Sequence, residues 1–500
     1  MREWVDIFVL CYFIGLNAFY GLLIIFSVFE IARRKASQVP ELDALVLAQA
    51  STPPISVIAP AFNEEQTIVD SVRAFLQLEY PHHQVLVVND GSTDMTLQKL
   101  VEEFDLEKVD LIIRREIETE AIRGIYQSRK DARLFVVDKE NGGKADALNV
   151  GINTSRFPLI CCADADTIVT RKALLRMVEP FLYDPRGVVA VGGTVRLANG
   201  CQFRHGVLQK VDVPKSWLAR FQIIEYLRGF LFGRMGLNRL GGNLIISGAF
   251  GLFKREAVVA VGGYARDSVG EDMEVVVKLQ RHILEEKPPR KIIHISDPIA
   301  YTEAPETLEL LGNQRDRWHR GMADTMWRHK AMMLNPKYGP VGLVVYPAYL
   351  MFELFGPVIE LFGYFWFGAG LIFGFVDLKF AILFLIAAFW LGAMMSVQAL
   401  LIDNWGFNLF RGAKPRLKLL AAAVFENLGY RQLTLWFRIR GLVKYMVGEK
   451  SWGKMTRKGF ERHPDSEEGV EALPSPQEML ELSGPEALAE SSKAASGGGE

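Results

Sequence analysis

The pattern of hydrophobic and polar residues separates long uncharged runs near the N-terminus and after residue 340 from a middle region of short alternating elements. Residues 7–29 carry no charged side chain. At a rise of about 1.5 Å per residue, a helix of that length crosses a hydrocarbon core of roughly 30 Å. A cleavable signal peptide has a shorter apolar region and a small-residue cleavage site. We therefore predict a retained transmembrane helix within a first segment, 1–35.

Positive charge predicts the orientation of this helix. Arg33, Arg34 and Lys35 follow it directly, and lysines and arginines that flank a span stay on the cytoplasmic side. We expect the N-terminus outside the cell and the chain after residue 30 in the cytosol.

A second apolar zone begins at residue 341 and is interrupted by Glu353 and Glu360, with a proline between them. We interpret 341–356 as a helix that lies in the membrane interface and 357–376 as a span. The two glutamates are seven residues apart and share one helical face. That face is either an interfacial polar surface or the lining of a hydrophilic passage, and the sequence favours neither.

A third span is predicted over 380–402, which completes a membrane segment, 341–403. Basic residues then mark the return to the cytosol: Arg411, Lys414, Arg416 and Lys418. The stretch 417–447 mixes charges with apolar residues, and so many charges are costly in lipid. We therefore expect it to lie on the inner surface, within a segment of interfacial helices, 404–462.

Residues 50–335 alternate short apolar runs with helical stretches. The runs are continuous rather than alternating, as expected for strands that are covered by helices on both faces. This order predicts an α/β domain with a mostly parallel, doubly wound sheet. The predicted strands are 55–62, 84–90, 134–138 and 158–166, with helices over 64–78, from Thr93 and from Lys144.

Polar side chains follow these strands. Ligands of such sheets bind beyond the carboxyl ends of the strands, where Asn63-Glu64, Asp90, Asp164 and Asp166 lie. Together they indicate a site, whereas any one of them alone is more often chance. Asp164 and Asp166 stand two apart, and hard carboxylate ligands select Mg²⁺ or Mn²⁺, which share one or two protein carboxylates with substrate phosphates. The alternative for this pair is a solvated turn.

Two motifs open helices. Asn141-Gly142-Gly143-Lys144 combines free backbone N–H groups with an ammonium, and is either a modest anion site or a plain turn. Gly270-Glu271-Asp272 begins a second helix. Its two acids are either helix caps, or Asp272 is a general base. The second alternative requires Asp272 to be buried while Glu271 is paired elsewhere. The absence of P-loop and dinucleotide-binding glycine motifs argues against an NTPase and an oxidoreductase.

A charged helical stretch carries Gln314, Arg317 and Trp318. An arginine here can bind a pyrophosphate leaving group, and an indole can stack on a sugar ring. The alternative is an interfacial girdle against lipid head groups.

The charge and the cysteine content of the chain restrict the class of protein and its compartment. The formal charge of the chain is −1. Residues 463–500 have a charge of −8, so the rest of the chain has a charge of +7. Their composition predicts a disordered acidic tail. No dense cluster of lysine and arginine indicates nucleic acid. Four cysteines without a paired pattern indicate a reduced, cytosolic compartment.

Taken in order, the motifs resemble membrane-integrated, processive family 2 glycosyltransferases with a GT-A fold, a group that includes cellulose, hyaluronan, chitin and poly-N-acetylglucosamine synthases. The resemblance covers roughly 50–460. The segments that carry it are PAFNEE, VNDGSTD, NGGKADALN, ADADT, GED and QRDRW, followed by the apolar spans.

The resemblance implies a role for each matched residue. The implied donor-binding residues are Glu64, Asp90, Lys144, Asp164 and Arg317. Asp166 with Asp164 would hold the Mg²⁺ or Mn²⁺, and Asp272 would be the base. The implied acceptor-binding residues are Ser247, Gly248, Gln314 and Trp318. The implied gating residues are Trp452, Gly453 and Arg457, where the threonine of the hyaluronan synthase motif is missing. The family commonly has threonine where this chain has Gly270.

These expectations describe a processive inverting glycosyltransferase of a plasma (inner) membrane with a cytosolic catalytic domain. It would polymerise a β-linked polysaccharide from UDP-N-acetylglucosamine or UDP-glucose and thread it across the bilayer. Its expected partners are the UDP-sugar, the growing polysaccharide and membrane lipids, with export proteins left open. Two rivals stay open: a non-processive enzyme that adds one sugar to a lipid, and a catalytically silent export scaffold.

Overall fold

The computed structural model describes residues 2–37, 52–204, 206–286 and 290–449. The strands, β1 to β12 in chain order, are Ile55–Ala61, His83–Asn89, Leu106–Lys108, Ile122–Ser128, Leu134–Lys139, Leu159–Ala163, Ile168–Val169, Val188–Leu197, Gln202–Arg204, Val207–Lys210, Phe250–Lys254 and Lys291–Thr302. The α-helices, α1 to α15, are Arg2–Ser37, Ile68–Leu76, Thr96–Phe104, Lys144–Thr154, Ala173–Tyr183, Trp217–Leu227, Met235–Asn238, Arg255–Ala260, Glu271–Glu285, Leu308–Arg328, Tyr346–Ala348, Gly356–Ile372, Leu378–Gly406, Ala413–Phe425 and Tyr430–Val447. Three π-helical turns cover Arg228–Arg234, Val341–Val345 and Tyr349–Leu354, and two 3₁₀ turns cover Lys330–Met332 and Pro336–Tyr338.

The main sheet has the strand order β3-β4-β5-β2-β1-β6-β11-β8-β12-β7 within the described residues. The central strands β5, β2, β1 and β6 are parallel neighbours, and β8 and β12 are parallel as well. Only β4, β11 and β7 run against the others in this described sheet. The predicted α/β class with a mostly parallel sheet is therefore confirmed.

The central strands are buried because helices cover both faces. All seven residues of β2 and all five of β6 are buried. Helix α4 packs so closely on β1 that a Cβ built on Gly151 would lie 2.2 Å from a side-chain carbon of Ile58. This packing holds the start of α4 beside the carboxyl ends of the strands.

The charged stretch 105–133, for which the sequence offered no account, extends one edge of the sheet. It supplies β3 and β4, which pair antiparallel with each other and with β5. Its remaining part crosses towards α4, where the amide of Asn153 bonds both the N–H and the C=O of Ile117.

Two described helices, α1 and α13, are long and apolar enough to cross a membrane. A third span is formed if the bent pair Val341–Leu354 and Gly356–Ile372, which meet at 50°, is counted as one. The bend falls beside Pro357, where a proline ring is tolerated because the first turn of a helix needs no N–H donor.

The apolar helices contact one another near both ends of α1. Near the N-terminus of α1, Asp6 Oδ1 accepts from Trp366 Nε1 at 2.8 Å. At the other end, Lys35 Nζ donates to the carbonyl of Trp405 at 2.9 Å, and Arg34 pairs with Glu179 of the α/β domain at 3.0 Å. The basic end of α1 thus adjoins the α/β domain, as the charge pattern predicts. The segments 38–51 and 450–500 lie outside the described residues, and with them the predicted gating residues Trp452, Gly453 and Arg457 and the acidic tail.

Candidate active site

A cavity of about 480 Å³ opens beside the carboxyl ends of the central strands. Eight of the residues singled out from the sequence line it: Lys144, Asp164, Ser247, Gly248, Asp272, Gln314, Arg317 and Trp318. They come from the start of α4, the end of β6, the segment before β11, the start of α9 and the middle of α10. Residues that are up to 174 positions apart therefore share one chamber.

Lys144 is the centre of charge in this cavity. Its Nζ lies 2.6 Å from Asp164 Oδ1 and 3.2 Å from Glu271 Oε1. Burial by itself would lower the pKa of Lys144, but the carboxylates of Asp164, Glu271 and Asp272 outweigh it and raise that pKa. The lysine therefore stays protonated at the start of α4, beside Asp164, where it can face an anionic group.

The two acids at the start of α9 differ in burial. Glu271 is 4% exposed, and burial raises its pKa although Lys144 opposes the shift. Asp272 is only partly buried, and its Oδ2 accepts from the N–H of Gly248 at 3.3 Å. Of the two conditions for Asp272 as a base, the pairing of Glu271 elsewhere is met by Lys144, whereas the burial of Asp272 is only partial. The role of Asp272 as the base stays a prediction. Asp272 faces the cavity and the segment Ser247-Gly248, which the resemblance associates with the acceptor.

Helix α10 presents Gln314 and Arg317 to the cavity, with Trp318 beside them. Gln314 is 8% exposed and Trp318 is 43% exposed. The guanidinium of Arg315 lies 4.3 Å from the centre of the Trp318 ring and also pairs with Glu225 at 2.7 Å. One face of the indole is thus held by a cation from its own helix.

Residues 56–262, which contain the strands and the Asp164 end of this cavity, match the model of the family described as Glycosyl transferase family 2. These residues form a glycosyl transferase family 2 domain. The predicted resemblance to family 2 glycosyltransferases is confirmed for this part of the chain.

Curated relatives extend beyond the family 2 domain. A poly-beta-1,6-N-acetyl-D-glucosamine synthase of Staphylococcus aureus is 30% identical over 295 residues, which cover 58% of this chain and 60% of the relative. The enzyme of the same name from Staphylococcus epidermidis is 30% identical over 275 residues, which cover 55% and 56%. The chain thus spans less than two thirds of the length of either relative.

A solved structure, a mannosyltransferase from Pyrobaculum calidifontis in complex with GDP-Man and Mn²⁺, superposes with a TM-score of 0.49 at 18% identity. The match covers 86% of this chain and 100% of that one.

In the family 2 domain, Asp90 shapes the loop that leads into α4. Its Oδ1 accepts from Lys139 Nζ at 2.5 Å and from the N–H of Gly142 at 3.0 Å, and its Oδ2 accepts from the N–H of Gly143 at 2.8 Å. Gly143 has φ +88°, a conformation that glycine adopts at little cost. The carboxylate thereby holds the glycine loop in the shape that delivers Lys144 to the cavity.

The buried cation under this loop, Lys139, is not among the residues predicted from the sequence. Lys139 is completely buried and also pairs with Asp146 at 2.7 Å. A charged residue that ends the apolar run of β5 was the available signal. Arg234, on a π turn that lines the cavity, was missed as well and had no local signal; its guanidinium lies 3.9 Å from the centre of the Phe230 ring.

Glu64, Asp90 and Asp166 are not among the described residues that line the cavity. Glu64 lies just before α2, where its carboxylate accepts from Thr67 Oγ1 at 3.0 Å. Their donor-binding and metal-binding roles stay predictions.

The family 2 domain offers carboxylates for a cation, but not a closed protein cage. No group of three His, Cys, Asp or Glu side chains gathers to hold a metal in the described part of the chain. Asp164 is partly exposed beside the cavity, and Asp166 is 3% exposed two residues further on. This donor set fits Mg²⁺ or Mn²⁺, since such an ion takes one or two carboxylates from the protein and its other ligands from substrate phosphates.

Proposed function

We propose that this chain is a membrane-embedded inverting glycosyltransferase that elongates a β-linked polysaccharide from a UDP-sugar. The observation that carries the proposal is the gathering of Lys144, Asp164 and Asp272 around one cavity that α10 closes with Arg317 and Trp318. The relatives named as poly-N-acetylglucosamine synthases support polymer synthesis and favour UDP-N-acetylglucosamine as the donor.

The cavity holds the groups for donor and acceptor chemistry close together. Lys144 and Arg317, which both line it, oppose the negative charge that develops on the diphosphate as the bond between the sugar and UDP breaks. Asp164 and Asp166 would hold Mg²⁺ or Mn²⁺, which supplies further charge neutralisation when bound.

Asp272, at the start of α9, takes the proton of the acceptor hydroxyl as its oxygen attacks the anomeric carbon. Glu271 is less suited to this role because it is buried and paired with Lys144. One base and one displacement give inversion, so an α-linked donor yields a β-linkage. The exposed indole of Trp318 offers a ring on which an acceptor sugar stacks.

The apolar helices support a membrane location with the family 2 domain on the cytosolic side. The basic end of α1 contacts that domain through Arg34 and Glu179, and cationic residues next to a span stay in the cytosol. A polymer made there would have to cross the bilayer. We include coupled translocation in the proposal, with Glu353, Glu360 and the helices around them as the candidate passage.

The test uses detergent-purified protein, a panel of UDP-sugars and Mg²⁺ or Mn²⁺, with UDP release and product length as readouts. We expect UDP-N-acetylglucosamine to give a β-linked polymer. A product with one sugar on a lipid would favour the non-processive rival, and a protein that releases no UDP from any donor would contradict the proposal.

Asp272→Asn tests the assigned base. We expect it to lower UDP release by at least about 10²-fold, because general base catalysis contributes roughly that much, while equilibrium binding of UDP is retained. Glu256→Gln is the matched control, since Glu256 is an acid of the same domain that lies at the surface and pairs only loosely with Arg290 at 3.8 Å. Wild-type turnover by Asp272→Asn would show that another group takes the proton.

A further inference from the structure

Two glycines meet where the acid pair, Glu271 and Asp272, approaches α10. A Cβ built on Gly270 would lie 2.6 Å from the Cα of Gly321, and one built on Gly321 would lie 2.7 Å from the Cα of Gly270. Both obstacles are backbone atoms, so no change of rotamer relieves them. Gly270 has φ −125°, a value that any residue adopts. The glycine is therefore required for space and not for its backbone conformation.

Gly321 also needs a packing reason, because glycine is a poor residue for the interior of a helix. One face of α10 carries residues that are spaced three or four apart: Gln314, Arg317, Gly321, Asp324 and Arg328. Residues at this spacing lie above one another on a helix. The face that supplies side chains to the cavity is therefore the face that packs against the start of α9.

The rest of this face holds the loop that precedes the acid pair. Ser268 Oγ donates to Asp324 Oδ2 at 2.8 Å. Arg328 lies 2.9 Å from Asp267 Oδ2 and donates to Asp324 Oδ2 at 2.8 Å. The loop and α10 are thus fastened together by polar contacts on one side of the glycine pair, and the cavity lies on the other.

From this arrangement we infer that Gly270 and Gly321 are positioning residues that set the distance between the acid pair and the cavity side chains of α10. The inference rests on the proposed transferase function. Gly270 is bonded to Glu271, and Arg317 lies one turn from Gly321, so any widening of the contact is passed on to both walls of the cavity. A side chain at position 270 would collide with the backbone of Gly321, and this chain therefore needs glycine at both positions.

An added methyl group at either glycine must push α10 away by about 1 Å, and a displacement of that size at an active site costs on the order of 10²-fold in rate. The experiment compares Gly270→Ala, Gly321→Ala and the double variant with the wild type, with initial rates of UDP release as the readout. We expect kcat to fall by roughly 10- to 100-fold in each single variant. The KM for the UDP-sugar should rise by less than kcat falls, because Lys144 and Asp164 are held by α4 and β6 and only Arg317 of the donor-binding residues moves with α10.

The double variant distinguishes the loss of one shared contact from two independent effects of the substitutions. Both methyl groups open the same gap, so we expect its loss to be clearly smaller than the product of the two single losses. Gly233→Ala is the matched control: Gly233 lies in the π turn Arg228–Arg234, and outside that turn no heavy atom of the described residues lies within 4 Å of its added Cβ. We expect it to keep the wild-type kcat.

If the wild type is active and either Gly321→Ala or Gly270→Ala has the wild-type kcat, the inference is overturned while the proposed function stands. A wild type that releases no UDP contradicts the proposed function, and the inference falls with it. Should the alanine variants not fold, Asp324→Asn replaces them, since it keeps the volume and weakens the fastening to Ser268 and Arg328. We expect kcat to fall roughly fivefold while the protein still folds, because the hydrogen bonds to Asp324 are weakened and not removed, and a wild-type kcat in this variant would also overturn the inference.

Discussion

At the scale of single residues, the family 2 domain depends on buried charges that are balanced by partners far away in sequence. Lys139 stands between Asp90 and Asp146, and all three side chains are almost completely buried. A buried ion pair adds little net stability, but removal of one partner leaves an uncompensated charge, which is strongly destabilising. Lys139 is therefore a structural residue, and its loss should also disturb the conformation of the loop that carries Lys144.

Lys139→Met keeps the length of the side chain and removes its charge. We expect a loss of about 3–5 kcal/mol in unfolding free energy, seen as a lower midpoint of denaturation in detergent. Lys130→Met is the control, because Lys130 is exposed and donates to the carbonyl of Glu103 at 2.6 Å. Equal midpoints for Lys139→Met and the control would show that the buried carboxylates do not need this cation.

His294 on β12 links stability to pH. It is buried, and burial, followed by the nearby Arg234, holds its pKa well below 6.5. The unfolded chain therefore binds a proton below about pH 6.5 that the folded chain does not, so the stability that this histidine contributes is complete above that pH and falls as the pH drops.

Melting curves between pH 5 and 7 measure this effect. We expect His294→Leu to reduce the dependence of stability on pH by about 1.4 kcal/mol per pH unit below 6.5. His282→Gln, at a half-exposed site, should leave the slope unchanged. A wild-type slope in His294→Leu would mean that this histidine is protonated in the fold.

At the scale of elements, α10 is held between the cavity and α15. Its Asp316 is buried and pairs with Arg440 at 3.1 Å and with Lys444 at 3.0 Å. A Cβ on Gly441 would lie 2.6 Å from the carbonyl oxygen of Asp316. The amphipathic stretch predicted to lie on the inner surface, 417–447, forms two helices, α14 and α15. Helix α15 is fitted tightly to the helix that carries Gln314, Arg317 and Trp318, a contact that the amphipathic pattern alone does not show.

Gly441→Ala tests this crossing. The methyl group has no room, so we expect α15 to shift and the protein to lose about 1–3 kcal/mol of stability, with a lower melting temperature. Gly363→Ala in α12, whose added Cβ meets no atom within 4 Å, should melt like the wild type. An unchanged melting temperature for Gly441→Ala would show that the two helices separate without cost.

At the scale of the whole molecule, ion pairs join the apolar helices to the α/β domain on one side. Arg34 contacts Glu179 and Asp297, Arg196 contacts Asp403, and each pair joins an end of an apolar helix to the domain. The opposite ends of these helices lack such a domain in the described residues, and the short turn around Asp377 connects α12 and α13 there. This asymmetry underlies the proposed topology.

Labelling of single introduced cysteines tests that topology in a Cys11→Ser background, since the other three cysteines are buried. An impermeant maleimide should label Asp377→Cys in intact cells and should reach Lys414→Cys only after the membrane is opened. Labelling of Lys414→Cys in intact cells would reverse the proposed orientation.

Several elements are predictable from the sequence because their signals are local. The apolar run over 55–62 becomes β1 at Ile55–Ala61, and the glycine loop predicts the start of α4 at Lys144. The helix expected from residue 64 begins instead at Ile68, since residues 65–67 form a turn in which the N–H of Thr67 donates to the carbonyl of Glu64 at 3.1 Å. The stretch 105–133 had no recognisable pattern, because short edge strands depend on the neighbour with which they pair.

The sequence alone determined which segments are apolar enough for membrane, which runs become central strands, and which carboxylates stand at their ends, because each of these depends on neighbouring residues and on the period of side chains along one element. Tertiary structure decided that Glu271 and not Asp272 is buried, that Lys139 serves Asp90, and that Gly270 meets Gly321. Burial, charge pairing and close backbone contact are properties of two surfaces brought together, and here those surfaces come from parts of the chain that are between 49 and 127 residues apart.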